Sequence, residues 1–147
     1  MSEPNRGHVL IPASVDDVWS VVGDPRTHPD WWPDLIDVRV PDDLREGGEY
    51  VRVVRRYNFL DLVDNVWVAE RLEHLREAHY RCTASGSYAR FSLTPARADT
   101  FVELETGLLP TGASWKLYDS VGRPGFKRWA RQLLDALPAA VERRRPG

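Results

Sequence analysis

The sequence predicts an α+β fold, in which one strand and two short helices precede six antiparallel strands and a long C-terminal helix. Two observations predict this class. Between residues 35 and 108, apolar residues recur at about every second position, in six runs separated by turn segments such as EGGE and SGS. After residue 123 the apolar spacing becomes three and four, the period of an amphipathic helix. Seven strands in total are enough for a strongly curved sheet.

The N-terminal residues predict a strand and then two short helices. The apolar run His8–Ile11 predicts the strand. Ser14 stands where its hydroxyl caps a helix over residues 15–22, with aspartates in the first turn. The segment PRTHPDWW predicts a second short helix. Asp24 and Pro25 are typical of its cap and first position, and Pro33 marks its end. We expect Trp31 and Trp32 to pack this short helix onto the sheet, with a pocket wall as the alternative.

The six strand runs separate into an inward and an outward face, because side chains alternate along a strand. The runs lie near residues 35–41, 48–57, 62–73, 78–85, 87–94 and 99–108. In the last three, the apolar face is predicted to meet the helix; it comprises Tyr80, Cys82, Ala84, Ala89, Phe91, Leu93, Val102, Leu104 and Thr106. The opposite face carries charges that can pair in solvent: Arg81, Arg90, Glu103 and Glu105. The small side chains of Cys82 and Ala84 predict an unfilled volume beside them.

The run 48–57 is less regular, because its apolar face includes an arginine. Val51, Val53, Arg55 and Tyr57 share one face. An inward Arg55 needs a partner, and we favour a buried pair with Asp64 or Glu70 on the next strand, or a side chain that reaches solvent. The alternative is that Arg55 and Tyr57 hold the polar end of a ligand. In the run 62–73 the two faces are nearly balanced, so Trp67 is a candidate for the interior.

The last apolar stripe predicts one long helix, with Trp129, Leu133 and Leu137 turned towards the sheet. Pro138 is expected to bend it. For residues 111–122 we favour a loop with a helical start. Residues 1–6 and 143–147 are expected to fray, and residues 1–147 to form a single domain.

Composition excludes several classes of function. Lys and Arg number 20 against 22 Asp and Glu, so the net charge of −2 disfavours nucleic acid as a partner. The single cysteine, Cys82, cannot form an intramolecular disulfide, which favours a cytoplasmic location. No run reaches the roughly 18 apolar residues of a membrane span, and no signal peptide is evident. The four histidines lack metal-binding spacing, so we expect no metal and no cofactor. The oligomeric state stays open, a homodimer included.

The segment HVLIPASVDDVWSVVGDPRTHPDWWPDLIDVRV resembles the START-like (SRPBCC) superfamily, and the chain looks most like its polyketide cyclase/dehydrase type. The resemblance implies a helix-grip fold, a seven-stranded curved antiparallel sheet wrapped around a long C-terminal helix. It also implies a small hydrophobic ligand, aromatic or polyketide-like, held between the sheet and that helix. The superfamily supplies no invariant catalytic motif, so no catalytic residue is assigned.

The function expected on this basis is binding of such a ligand, with cyclisation or dehydration of a polyketide if the protein is an enzyme. Proton transfer would then fall to Tyr57, Tyr80 or His79. The alternatives are a non-catalytic carrier of lipids or other hydrophobic ligands, and a protein-interaction module resembling chaperone-ATPase activators. The candidate ligand-binding residues are Trp32, Arg55, Tyr57, Trp67, Tyr80, Cys82, Ala84, Phe91, Leu93, Val102, Leu104, Trp129 and Leu133.

Overall fold

The computed structural model describes residues 4–56, 61–109 and 123–144, and within them the side chains other than 55, 56, 61–63, 123 and 124. The elements follow the predicted order. The strands are β1 (Asn5–Ile11), β2 (Leu35–Arg39), β3 (Glu49–Arg56), β4 (Asp61–Glu73), β5 (Glu77–Cys82), β6 (Ser87–Ala96) and β7 (Asp99–Leu108). The helices are α1 (Val15–Val22), a 3₁₀ helix (Pro25–Asp30) and α2 (Arg123–Arg144). The predictions for the Arg55 side chain, for Tyr57 and for the segment 111–122 concern parts of the chain outside these described residues and side chains.

The strands form one antiparallel sheet in the order β1-β7-β6-β5-β4-β3-β2. β2 to β7 are a meander, and β1 returns to pair with β7, with Asn5 opposite Thr106 and Ile11 opposite Thr100. α2 packs against β1, β7 and α1. The predicted helix-grip fold is therefore confirmed. The predicted fraying up to residue 6 is wrong for Asn5 and Arg6, which pair in the sheet.

The chemistry of two caps fixes the N-terminal helices as predicted. Ser14 Oγ accepts a hydrogen bond from the Asp17 N–H at 3.2 Å, and Asp24 Oδ1 accepts one from the Arg26 N–H at 3.0 Å. The buried Thr27 hydroxyl then donates to the Val21 carbonyl at 2.6 Å, which joins the 3₁₀ helix to the end of α1. This junction places the two following tryptophans against the sheet, where both are buried.

The face of β3 that points inward is the opposite of the predicted one. Tyr50 and Arg52 are buried, at 2% and 3% exposure, whereas Val51 and Val53 are half-buried. Apolar residues occupy both faces of this strand. The alternation of side chains therefore does not distinguish the inward face from the outward face. The two carboxylates predicted as partners of Arg55 each form an ion pair with another arginine, and the prediction for Arg55 itself stays untested. Asp64 pairs with Arg39 on β2, and Glu70 pairs with Arg81 on β5.

The inward position predicted for Ala84 is also wrong. β5 ends at Cys82, and residues 83–85 form a turn in which Ala84 is exposed. The turn closes because Gly86 adopts a φ of 79° and donates its N–H to the Cys82 carbonyl at 3.0 Å. The chain therefore leaves the sheet two residues before position 84, and the alternation along β5 no longer applies there.

The apolar stripe of α2 meets the sheet as predicted, with Leu133 and Leu137 fully buried and Trp129 half-buried. A close approach between α2 and β1 depends on Gly7, where a Cβ atom would lie 2.7 Å from Leu134 Cδ1. The first strand thereby supports the middle of the last helix. Pro138 lies within α2. None of the helices in the described part of the chain is long and apolar enough to span a membrane.

Candidate ligand-binding site

An aromatic cluster fills the space between the 3₁₀ helix, the sheet and the start of α2. The imidazole of His28 is fully buried and stacks on Trp32, with ring centroids 4.5 Å apart and planes inclined by 17°. Tyr80 meets the His28 ring edge-on at 4.8 Å, and Trp129 meets Trp32 at 5.6 Å. The Trp31 indole N–H donates to the Thr27 hydroxyl at 3.4 Å. The tryptophan pair thus belongs to the core, as the packing interpretation predicts.

An apolar cavity of about 260 Å³ opens beside this cluster. Its lining comprises Trp67 on β4, Ser87 at the start of β6, and Gly125, Phe126 and Trp129 in the first turns of α2. The centroid of the Trp129 ring lies 5.9 Å from that of Phe126 and 6.4 Å from that of Trp67. A closed apolar cavity of about 150 Å³ is enough for benzene. The cavity here is largely open to solvent, so a planar ring system would stack on its aromatic faces without being fully enclosed.

A second, larger cleft of about 760 Å³ lies at the β4–β5 and β6–β7 turns, and its chemistry is different. Its lining includes Arg71, Glu73, Arg76 and Glu77, which form ion pairs with one another at the surface. A solvent-exposed surface whose charges are paired with one another offers little binding energy to an apolar ligand. We therefore place the candidate site at the cavity between the sheet and α2.

Arg52 lies behind the cavity wall and is the one buried arginine among the described side chains. Its Cζ atom is 4.1 Å from the ring centroid of Trp67 and 4.2 Å from that of Trp32, so the guanidinium packs against two indole faces. Burial lowers the pKa of Arg52 to about 10, and the group remains charged at neutral pH. No carboxylate of a described residue forms an ion pair with it, and its Nε and Nη1 atoms have no hydrogen-bond partner among those residues.

The polar groups around Arg52 are held in their uncharged forms. Burial and the charge of Arg52 lower the pKa of His28 well below its ordinary value. Burial raises the pKa values of Tyr50 and Tyr80, so both hydroxyls keep their protons. The Tyr80 hydroxyl donates to the Val22 carbonyl at 2.6 Å. Within the described part of the chain, the Tyr50 hydroxyl, His28 Nδ1 and Trp32 Nε1 are buried without a partner.

The structure distributes the predicted site residues over three environments. Trp67 and Trp129 line the cavity. Eight others are buried in the core that continues from it: Trp32, Tyr80, Cys82, Phe91, Leu93, Val102, Leu104 and Leu133. Ala84 is exposed, and Arg55 and Tyr57 are not among the described side chains.

Sequence reasoning missed the polar members of this region. Tyr50 and Arg52 are absent from the predicted set because the inward face of β3 was assigned to the odd-numbered residues. Trp67 lies directly opposite Tyr50 in the β3–β4 ladder. This pairing of two aromatic residues across strands is the feature of the sequence that indicates which face of β3 points inward. His28 stands four residues before Trp32, but the stacking of the two rings depends on the turn at the end of the 3₁₀ helix. The described residues contain no cluster of three metal-ligating side chains.

The family model described as "Polyketide cyclase / dehydrase and lipid transport" matches residues 6–142. The chain belongs to this family. Its membership and its START-like fold agree with the resemblance of the N-terminal segment. They indicate a hydrophobic ligand and leave the identity of that ligand unspecified. No curated protein matches the chain.

Solved structures share the fold over nearly the whole chain. A protein from Nitrosomonas europaea is 18% identical, with a TM-score of 0.72 over 95% of this chain and 94% of that chain. A START superfamily protein from Mycobacterium smegmatis is 17% identical, with a TM-score of 0.66 over 97% and 99%. A Polyketide_cyc-like protein from Corynebacterium glutamicum is 15% identical, with a TM-score of 0.58 over 97% and 90%. At these identities the likeness concerns the fold.

Proposed function

We propose that this protein binds a small planar hydrophobic molecule between the sheet and the first turns of α2. The observation that carries the proposal is the apolar cavity of about 260 Å³, walled by the rings of Trp67, Phe126 and Trp129. Burial of apolar ligand surface there contributes about 25 cal/mol per Å² before the costs of association are subtracted. Three aromatic walls favour a flat, polarisable ligand over a flexible acyl chain.

Binding without turnover is the function that the local chemistry favours. The described residues that line the cavity carry no titratable side chain. The two buried tyrosines nearby keep their protons at neutral pH, because burial raises their pKa values. A phenol in this state donates a hydrogen bond but does not accept a proton as a general base. The geometry therefore supports a carrier or sensor of an aromatic molecule over a polyketide cyclase/dehydrase, in which the pocket would also have to move protons.

The alternative of a protein-interaction module predicts an interior filled by its own side chains. Three aromatic side chains around an apolar opening at the junction of sheet and α2 favour ligand binding over this alternative. The distinction is open to experiment, because an interaction module has no reason to bind a planar apolar probe.

The test uses 2-naphthalenemethanol, a neutral two-ring probe, titrated into the protein by calorimetry and by tryptophan fluorescence. Two substitutions at Gly125 form a matched pair. An added Cβ at this position meets no atom within 4 Å, so the fold accepts a side chain there. Gly125→Ala adds one methyl group and Gly125→Leu adds a branched side chain beside the cavity, and both increase helix propensity by roughly 0.5–1 kcal/mol.

We expect the parent protein and Gly125→Ala to bind the probe, and Gly125→Leu to bind it at least about tenfold more weakly while unfolding at the same or higher denaturant concentration. Trp129→Ala, which removes one wall, is expected to weaken binding as well. A parent protein that leaves the probe unbound, or a Gly125→Leu protein that binds it as tightly as the parent does, would contradict the proposal.

A further inference from the structure

Five buried polar atoms without partners belong to one contiguous group of side chains behind the cavity. They are Arg52 Nε, Arg52 Nη1, Tyr50 Oη, Trp32 Nε1 and His28 Nδ1. The side chains are linked by direct contacts: Arg52 lies on the Trp32 ring, Trp32 stacks on His28, and Tyr80 bridges His28 to Tyr50 with centroids 4.8 Å and 6.2 Å apart. We call this group the Arg52 cluster. Buried polar groups in folded proteins nearly always have partners, so a concentration of orphans at one place requires an explanation.

The indole rings do not supply the missing partners. The guanidinium carbon lies over both indole rings, and their π faces compensate part of its charge without an oxygen that could accept its N–H groups. The N–H groups of arginine point outward in the plane of the guanidinium, where an oxygen has to accept them. An unpaired buried charge strongly disfavours the folded state, so a sequence with only structural demands would place a carboxylate or an apolar residue here.

The donors in the cluster specify the chemistry of the missing partner. Arg52 offers N–H groups and a positive charge, and the Tyr50 hydroxyl and the Trp32 indole N–H are donors as well. A set of donors around a cation is complementary to an oxygen that carries negative charge. Such hydrogen bonds are shorter and roughly twice as strong as those between neutral groups.

We propose that the Arg52 cluster recognises an acidic oxygen of the ligand, a carboxylate or an enolate, while the rings of the same ligand occupy the cavity. This inference rests on the proposed function and names its ligand class: planar aromatic acids or ionised β-dicarbonyl compounds. Trp67 connects the two parts of the site, because its ring lines the cavity and also lies 4.1 Å from the guanidinium.

Access from the cavity to the cluster requires Trp129 to move, because Trp129 lies between the cavity and the rings that hold the guanidinium. It is half-buried, and its ring contacts both Trp32 and Trp67, the two rings that hold the guanidinium. A rotation of this one side chain is the movement that the inference requires. Such a rotamer change at a binding surface is common when partners associate.

The experiment compares three probes by calorimetry at pH 7.5: 2-naphthoate, the neutral 2-naphthalenemethanol and the enolisable β-diketone 1,3-indandione. The readout is the ratio of acidic to neutral affinity, which a purely structural role of Arg52 would not change. We expect the parent to prefer an acidic probe by about tenfold or more. In Arg52→Met this ratio is expected to fall to about one while 2-naphthalenemethanol still binds. Which acidic probe is preferred distinguishes a carboxylate ligand from an enolate ligand.

Two further variants make the result decisive. Tyr50→Phe deletes a hydroxyl that has no partner among the described residues, so it is expected to fold normally and to lower the acid preference severalfold. Arg81→Gln removes the same charge from the outer face of the sheet, where Arg81 pairs with Glu70, and is expected to leave the ratio unchanged.

The inference is overturned if the acidic and neutral probes bind equally to the parent, the result expected if ordered water alone occupies the cluster. It is also overturned if Arg81→Gln lowers the ratio as much as Arg52→Met, because the preference would then reflect net charge. Failure of every probe to bind would instead contradict the proposed function itself. The two proposals therefore fail in distinguishable ways.

Discussion

The two faces of the sheet use arginine in opposite ways. On the outer face, five strands each carry an arginine that pairs with a carboxylate: Arg6, Arg39, Arg71, Arg81 and Arg90. These side chains are between 30% and 75% exposed. On the inner face, Arg52 is 3% exposed and forms no ion pair with a described residue. The charges that water already stabilises have carboxylate partners, and the charge removed from water has none within the described part of the chain.

This contrast is the basis for assigning Arg52 a proposed role in recognition and the outer arginines none. Ion pairs at the surface contribute about 0–1 kcal/mol each, so their presence on the outer face needs no function beyond a soluble, register-specific sheet. A buried unpaired guanidinium is costly by several kcal/mol unless an acceptor arrives. The inner face therefore retains a destabilising feature that binding of an acidic ligand would relieve.

The largest difference between the faces is expected for adjacent residues of β6. Phe91 is fully buried, and Arg90 points outward, where it pairs with Glu105 at 3.2 Å. Phe91→Ala should lower the free energy of unfolding by about 3–5 kcal/mol, because it removes a ring from the packed core. Arg90→Ala should lower it by less than about 1 kcal/mol. Chemical denaturation measures both. Equal losses in the two variants would show that the assignment of the faces is wrong.

A difference of intermediate size is expected in the pH dependence of stability. The pKa of His28 lies well below 6.5 in the folded protein, chiefly because of burial, and returns to about 6.5 on unfolding. Below pH 6.5 the unfolded chain therefore binds a proton that the folded chain does not. Stability is expected to fall as the pH falls from about 6.5 towards 5.5, with a slope of at most about 1.4 kcal/mol per pH unit from this residue.

His28→Gln should flatten this slope, whatever its effect on stability at pH 7.5. The control is His79→Gln at the outer face, where desolvation also lowers the pKa but the ring is half-exposed. His79→Gln should change the slope less. A slope that is the same in parent and His28→Gln proteins would show that the buried imidazole does not titrate in this range.

The smallest effect is expected for two buried tyrosines of the inner face, which differ in whether the hydroxyl has a partner. Tyr80 and Tyr50 are both buried, with centroids 6.2 Å apart, but only the Tyr80 hydroxyl has a partner among the described residues, the Val22 carbonyl at 2.6 Å. Tyr80→Phe should lower the free energy of unfolding by about 1 kcal/mol, and Tyr50→Phe should change it by roughly zero in the absence of ligand. Thermal denaturation of the two variants side by side gives the measurement. A larger loss in Tyr50→Phe would mean that its hydroxyl is hydrogen-bonded in the free protein.

Local chemistry explains why the elements and their order were predictable from the sequence. The caps Ser14 and Asp24 act on N–H groups two or three residues away, so their effect can be deduced without knowing the rest of the fold. The apolar stripe of α2 likewise contains Leu133 and Leu137 at helical spacing, and both reach the core. Each of these features depends on neighbours along the chain.

The site was harder to predict because it depends on pairing between distant residues. The inward face of β3 is decided by Tyr50, which lies opposite Trp67 in the ladder and contacts Tyr80 one strand further away, and by Arg52, which packs on Trp67. The valines of β3 suit either face, so alternation alone does not determine the choice. The end of β5 at Cys82 depends on the positive φ of Gly86, the central residue of the SGS turn. The reversed face of β3 left Arg52 out of the predicted set, and the early end of β5 misplaced Ala84.

The pairing of β1 with β7 also governs when the chain can fold during its synthesis. Arg6 and Glu105 are 99 residues apart in sequence, and β1 has no strand to pair with until the ribosome has produced β7. The support of β1 by α2 through Gly7 and Leu134 has to wait longer still. Contacts between such distant residues slow folding, and an unpaired strand edge is a template for association with other chains. The nascent protein is therefore most vulnerable to aggregation before its last helix emerges, and a chaperone that shields the first strand would act in that interval.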